Sequence, residues 1–176
     1  MKLRVALAQI NPTVGDLAGN AGLIADAVKS AQAAGANLIV FPEMIVTGYP
    51  VEDLALRSSF QAASIRAVQE IAASITGDIV AVVGYLDQGP KNAVAIIHNG
   101  KIVAIYVKRH LPNYGVFDEF RNFVAGDQSL VVRIHGVDVA VAICEDIWHS
   151  LDSIVSSPRS RLSSPRVQEK EYPRYT

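Results

Sequence analysis

The sequence predicts an α/β domain built on a mixed β-sheet with two helices on a face. Three observations carry that prediction. Two stretches with helical apolar spacing separate three short β-rich runs within the first 85 residues. Asn99-Gly100 then sits between two strand-like runs, a strong two-residue hairpin signal. His135-Gly136 repeats the arrangement more weakly.

Leu3–Ile10 alternates and is rich in β-formers, which predicts the first strand. NPTVGD supplies turn chemistry. From Asn20 to Ala34, Leu23, Ile24, Ala27, Val28 and Ala31 recur at helical spacing, and Gly35 is the stop signal. Asn37–Phe41, bounded by Pro42, reads as a buried strand, and TGYPVEDL as a loop. Phe60–Ile75 reads as a second helix presenting Ala63, Ala67, Ile71 and Ile75. Asp78–Tyr85 is the third strand; Asn92–His98 with Lys101–Val107, and Ser129–Ile134 with Val137–Ile143, form the two hairpins. The last of these strands is expected to be buried on both faces.

Half of the 176 residues are hydrophobic and 19% are charged, enough apolar content for a packed core. The charges nearly cancel at −1, which offers no electrostatic footprint for nucleic acid or an anionic membrane. One Cys excludes an internal disulfide and a multi-Cys metal site, and the four His are too scattered for a metal centre. No apolar run reaches the length of a membrane span, and Val5–Ile10 is too short for a signal-peptide core, so a cytoplasmic setting is expected. The composition breaks near residue 149. Residues 1–149 carry 11 basic and 14 acidic side chains, whereas 150–176 carry 5 and 3, with seven Ser and three Pro and no Ala or Gly. Residues 150–176 are therefore expected to be a disordered tail.

Open α/β sheets carry their sites just past strand ends. Three reactive groups occupy such places: Glu43 after Val40-Phe41-Pro42, Lys108 after Tyr106-Val107, and the lone Cys144 after Ile143. Each has a bland alternative: a solvated loop acid, a surface Lys, a small buried hydrophobe. Read together they suggest more. A carboxylate beside an apolar strand end suits proton abstraction, and an ammonium beside a thiol favours thiolate and stabilises an oxyanion. Spacings of 65 and 36 residues leave their convergence to folding. The acids after Cys144 would by themselves raise its pKa.

FPE at 41–43, KRHLPNYGVFDEFR at 108–121 and AICEDIW at 142–148 resemble, in that order, the carbon-nitrogen hydrolase (nitrilase) superfamily. VALAQINPTVGD, FPEMIVTGYPVEDL and LPNYGVFDE are most like the glutaminase domains of glutamine-dependent NAD synthetases. The resemblance runs from about Leu3 to Trp148. It implies an α-β-β-α sandwich that pairs in oligomers and a Glu-Lys-Cys triad: Glu43 as general base, Lys108 as oxyanion-stabilising cation, Cys144 as nucleophile. It further implies Glu119 as a supporting acid, with Tyr114, Phe117 and the Glu145 side chain binding glutamine, and the Glu145 N–H helping to hold the oxyanion. The glutaminase step uses no cofactor or metal. ATP and deamido-NAD belong to a synthetase domain, of whose glycine-rich phosphate loop this sequence has no trace.

The likeness stops at Trp148-His149. The implied fold is thus a partial sandwich with its C-terminal portion missing: residues 1–149 as the N-terminal part of a glutaminase domain, and 150–176 as a non-matching tail. An exposed apolar face and an unpaired edge are expected at strand 137–143. Trp148 is expected to pack in a core. Little or no glutamine turnover is expected from the chain alone. Two alternatives stand beside the glutaminase reading: hydrolysis of another small amide or nitrile, and a non-catalytic fragment.

Overall fold

A computed structural model describes residues 2–149 and the backbone of 167–169; the rest of the expected tail lies outside the described residues. Strand β1 (Val5–Leu7) leads through helix α1 (Leu17–Ala33) to β2 (Leu38–Val40), and β2 leads through helix α2 (Ser58–Ser74) to β3 (Val80–Asp87). β3 continues into the antiparallel strands β4 (Lys91–His98) and β5 (Lys101–Val107). These five form one mixed sheet in the order β1-β2-β3-β4-β5, parallel through β3. A second sheet holds β6 (Leu130–Ile134) between β7 (Val137–Val141) and β8 (Val167–Glu169).

Side-chain alternation builds the layers. Ile39, Ala81, Val83, Ala95 and Ile97 pack against Ile24, Val28, Ala31, Val68 and Ile71 of the helices. The intervening residues Leu38, Val80, Val94 and Ile96 pack against Leu130, Val132 and Ile134 of the second sheet. The order is helices, sheet, sheet: the partial sandwich expected, since a strand presents alternate residues to opposite faces.

Four details differ from expectation. Helix α1 starts at Leu17 because Asp16 caps it, accepting from the Gly19 N–H at 2.9 Å; the turn-like NPTVGD hides this cap. The buried face of α2 is Gln61, Ser64, Val68, Ile71 and Ala72, with Ala63 and Ala67 only half-buried. Two polar residues fit there because they satisfy backbone groups. Gln61 donates to the Ala55 carbonyl (2.7 Å) and accepts from the Gly89 N–H (3.1 Å), and Ser64 Oγ accepts from the Leu86 N–H (3.1 Å).

The strand after His135-Gly136 is not buried on both faces. It alternates, and Arg133 forks onto Asp138 across the outward face at 2.6 and 2.9 Å. Among the described residues the most exposed large apolar side chains lie on β1 (Leu7), in the loop after β5 (Val116, Phe120) and in the turn after Cys144 (Ile147). Trp148 is 76% exposed, not core. Among the described residues, no helix is long and apolar enough to cross a membrane.

Candidate active site

Glu43, Lys108 and Cys144 are each placed by backbone within three residues of a strand end. After β2, Phe41 donates its N–H to the Val82 carbonyl (3.1 Å) and Val46 donates to Gly84 (3.1 Å), pinning the Glu43 turn against β3. Met44, wholly buried, takes the left-handed conformation (φ 51°) that closes this turn. The turn fits because position 84 lacks a side chain: a Cβ there would stand 2.5 Å from the Met44 nitrogen. After β5, the Lys108 N–H bonds the Asn92 carbonyl (2.9 Å) and its carbonyl accepts from Gly126 (2.8 Å).

Lys108 is wholly buried, and its Nζ lies between two carboxylates, 2.8 Å from Glu43 Oε1 and 2.9 Å from Glu119 Oε1. Asn92 Nδ2 donates to Glu43 Oε1 (2.6 Å), and the Tyr49 hydroxyl donates to Glu119 Oε1 (2.9 Å). Burial alone would lower the Lys108 pKa; the charges and hydrogen bonds of Glu43 and Glu119 outweigh it and hold the ammonium above its ordinary range. Burial pushes the Glu119 carboxyl up, against Lys108 and Tyr49, and its Oε2 is buried without a hydrogen-bond partner.

Cys144 follows β7 with φ 46°, at the start of a short 3-10 turn that runs to Trp148. A non-glycine residue held there stores backbone strain, a feature that clusters at functional positions. The thiol is exposed. Partial desolvation pushes its pKa up, the charge and hydrogen bond of Glu43 add to this, and Lys108 opposes it. The sulfur therefore feels both partners read from the sequence. On its outer side the Tyr114 hydroxyl donates to Glu145 Oε2 (2.7 Å), and the Tyr114 and Phe117 rings meet edge-on at 5.8 Å. All seven candidate residues thus fall in two adjoining groups, Glu43-Lys108-Glu119 within and Cys144-Glu145-Tyr114-Phe117 at the surface.

Sequence reasoning passed over three residues. Asn92 sits in an apolar strand, Tyr49 in a loop, and Asp146 two positions past the Cys; a polar residue breaking an apolar run was the available signal only for Asn92. Among the described residues, no group of His, Cys, Asp and Glu is arranged to hold a metal ion.

The family model described as carbon-nitrogen hydrolase matches residues 4–160. The glutamine-dependent NAD(+) synthetase of Thermotoga maritima is 42% identical over 158 residues, covering 88% of this chain and 27% of that protein. That of Rhodobacter capsulatus is 40% identical over 151 residues, again covering 27% of its length. The chain thus spans about a quarter of the curated relatives it matches. The solved glutamine-dependent NAD+ synthetase of Acinetobacter baumannii superposes with a TM-score of 0.77 at 38% identity, covering 86% of this chain and 29% of that one. A mutant amidase from Nesterenkonia sp. AN1, carrying an acetamide moiety at its active-site cysteine, superposes at 0.70 with 25% identity, covering 82% of this chain and 56% of that one.

Proposed function

The chain belongs to the carbon-nitrogen hydrolase family, and on that premise we propose that its polar centre is a glutamine-hydrolysing site. The observation that supports this most is the buried Lys108 ammonium between Glu43 and Glu119; of these, Glu43 and Lys108 act in opposite directions on the Cys144 thiol. Glu43 takes the thiol proton as Cys144 attacks the side-chain amide carbon of glutamine. Lys108 and the Glu145 N–H stabilise the oxygen that gains charge. The Glu43 proton passes to the leaving nitrogen, ammonia departs, and a thioester remains. Water, deprotonated by Glu43, then hydrolyses the thioester to glutamate and regenerates the thiol. No cofactor takes part in these steps. Glu119 keeps Lys108 in place, and Tyr114, Phe117 and the Glu145 carboxylate receive the zwitterionic end of glutamine.

The names of the relatives support an NAD synthetase context. There the ammonia would go to a synthetase region that uses ATP and deamido-NAD, in an oligomeric, cytoplasmic enzyme. Residues 1–149 then serve as the N-terminal part of the hydrolase domain. The open outer half of the site argues for weak turnover in this chain alone. Tyr114 is 58% exposed and Cys144 is exposed, so the described residues leave the outer side of the site open to solvent.

The test is protection of the thiol. Millimolar L-glutamine should slow iodoacetamide labelling of Cys144, read by intact mass, while acetamide and aliphatic nitriles should not. Glutamate release should be low and absent in Cys144→Ala. Protection by acetamide but not glutamine would replace this reading with a simple amidase; protection by neither would leave a non-catalytic fragment.

A further inference from the structure

Asp146 is wholly buried and accepts from five donors, more than any other side chain among the described residues. Its Oδ2 takes the Tyr106 hydroxyl at 2.7 Å and the Ile143 N–H at 3.0 Å. Its Oδ1 takes the Arg109 N–H at 3.1 Å, the His110 N–H at 2.9 Å and His110 Nδ1 at 3.0 Å. These donors come from two places only. Tyr106, Arg109 and His110 surround Lys108 at the end of β5, whereas Ile143 immediately precedes Cys144. The residues share no sheet: β5 lies in the first and β7 in the second. The two strand ends therefore meet through one carboxylate. Cys144 needs such a tie, because its left-handed backbone is strained and persists only when neighbouring contacts determine it.

We propose that Asp146 is the positioning residue that fixes the Cys144 turn against the Lys108 strand end, so that the sulfur stays coupled to Glu43. The proposal rests on the site reading above. Both carboxylate oxygens face donors, which makes asparagine a poor replacement. Keeping its carbonyl toward the three donors at Oδ1 turns its NH2 toward Oδ2's place. The Tyr106 hydroxyl can rotate to accept, but the Ile143 N–H cannot. The lost contact is then the one next to the nucleophile.

The experiment measures the pH dependence of Cys144 alkylation by iodoacetamide in the full chain. Glu43, Lys108 and Glu119 are the charged groups that act on the sulfur, and the Tyr49 and Tyr114 hydroxyls are further titratable groups coupled to it. Glu43→Gln removes the neighbouring negative charge, and the midpoint of the natural chain should fall by about one pH unit. With Asp146→Asn, the midpoint itself should fall toward that of a free thiol, and adding Glu43→Gln should then move it by less than about half as much. A purely structural Asp146 would lower the melting temperature and leave the Glu43 effect on the folded protein intact; that result overturns the proposal. No Glu43 effect in the natural chain would instead overturn the site reading. If Asp146→Asn does not fold by circular dichroism, Tyr106→Phe decides by the same criterion. It removes one donor from Oδ2, and a Glu43 effect undiminished in it also overturns the proposal.

Discussion

The inner and outer halves of the site are built to different standards. Glu43, Lys108 and Glu119 share short hydrogen bonds with Asn92 and Tyr49 behind the sheet ends, and Lys108 has no solvent contact. Cys144, Tyr114 and Trp148 stand at the surface, tied mainly through Asp146 and the Tyr114–Glu145 bond. The difference teaches where the fold has invested its order. In the ion network Asn92 lies within β4, which pairs on both sides, and Lys108 and the Glu43 turn are fastened by backbone hydrogen bonds to Asn92, Val82 and Gly84 of neighbouring strands; the nucleophile comes from a turn beyond β7, the edge of the second sheet. A buried network resists rearrangement because each lost partner leaves an unpaired charge, whereas a surface turn tolerates motion.

Lys108→Met should break the comparison most severely. It leaves two carboxylates facing a vacated site, and removing one member of a buried pair costs about 3–5 kcal/mol. Urea unfolding should show the fall in midpoint; an unchanged midpoint would mean the inner half is as loosely held as the outer. Gly84→Ala should come next, at about 1–3 kcal/mol, because the added methyl meets the Met44 nitrogen and must displace the Glu43 turn. The same unfolding curve measures the cost, and an intact Glu43–Cys144 coupling in the alkylation assay would show the turn had absorbed the methyl unmoved.

Arg121→Ala should do least. Arg121 bridges Glu52, Asp53 and Asp118 at 2.8 to 3.1 Å, but every partner is exposed and solvent screens the charges. Its melting temperature should match that of the natural chain, and a clear drop would show that the loops of the outer half are locked more firmly than their exposure implies.

Much of this was legible in the residues. Local apolar periodicity marks both helices and both hairpins, and turn dipeptides mark where the chain reverses, because these depend on neighbours in sequence. Ordered motifs around Glu43, Lys108 and Cys144 marked the candidate site. The α2 face was misjudged because Gln61 and Ser64 look polar until their backbone partners at Ala55, Leu86 and Gly89 are known. The last strand was misjudged because the apolar residues of 137–143 outweighed Asp138, the sign of an outward face, where it pairs with Arg133 across the hairpin.

The sequence by itself determined both helices and strands β1 to β7, where they start and stop within a few residues, and which reactive groups stand past strand ends, but not β8. Only the tertiary structure decided that Lys108 is flanked by two carboxylates, that glycine is required at 84, and that Asp146 joins two strand ends from different sheets. The physical reason is range. Secondary structure follows from contacts a few residues apart, whereas a hydrogen bond between residues 65 positions apart, as from Lys108 to Glu43, exists only once β2 and β5 have been assembled into one sheet.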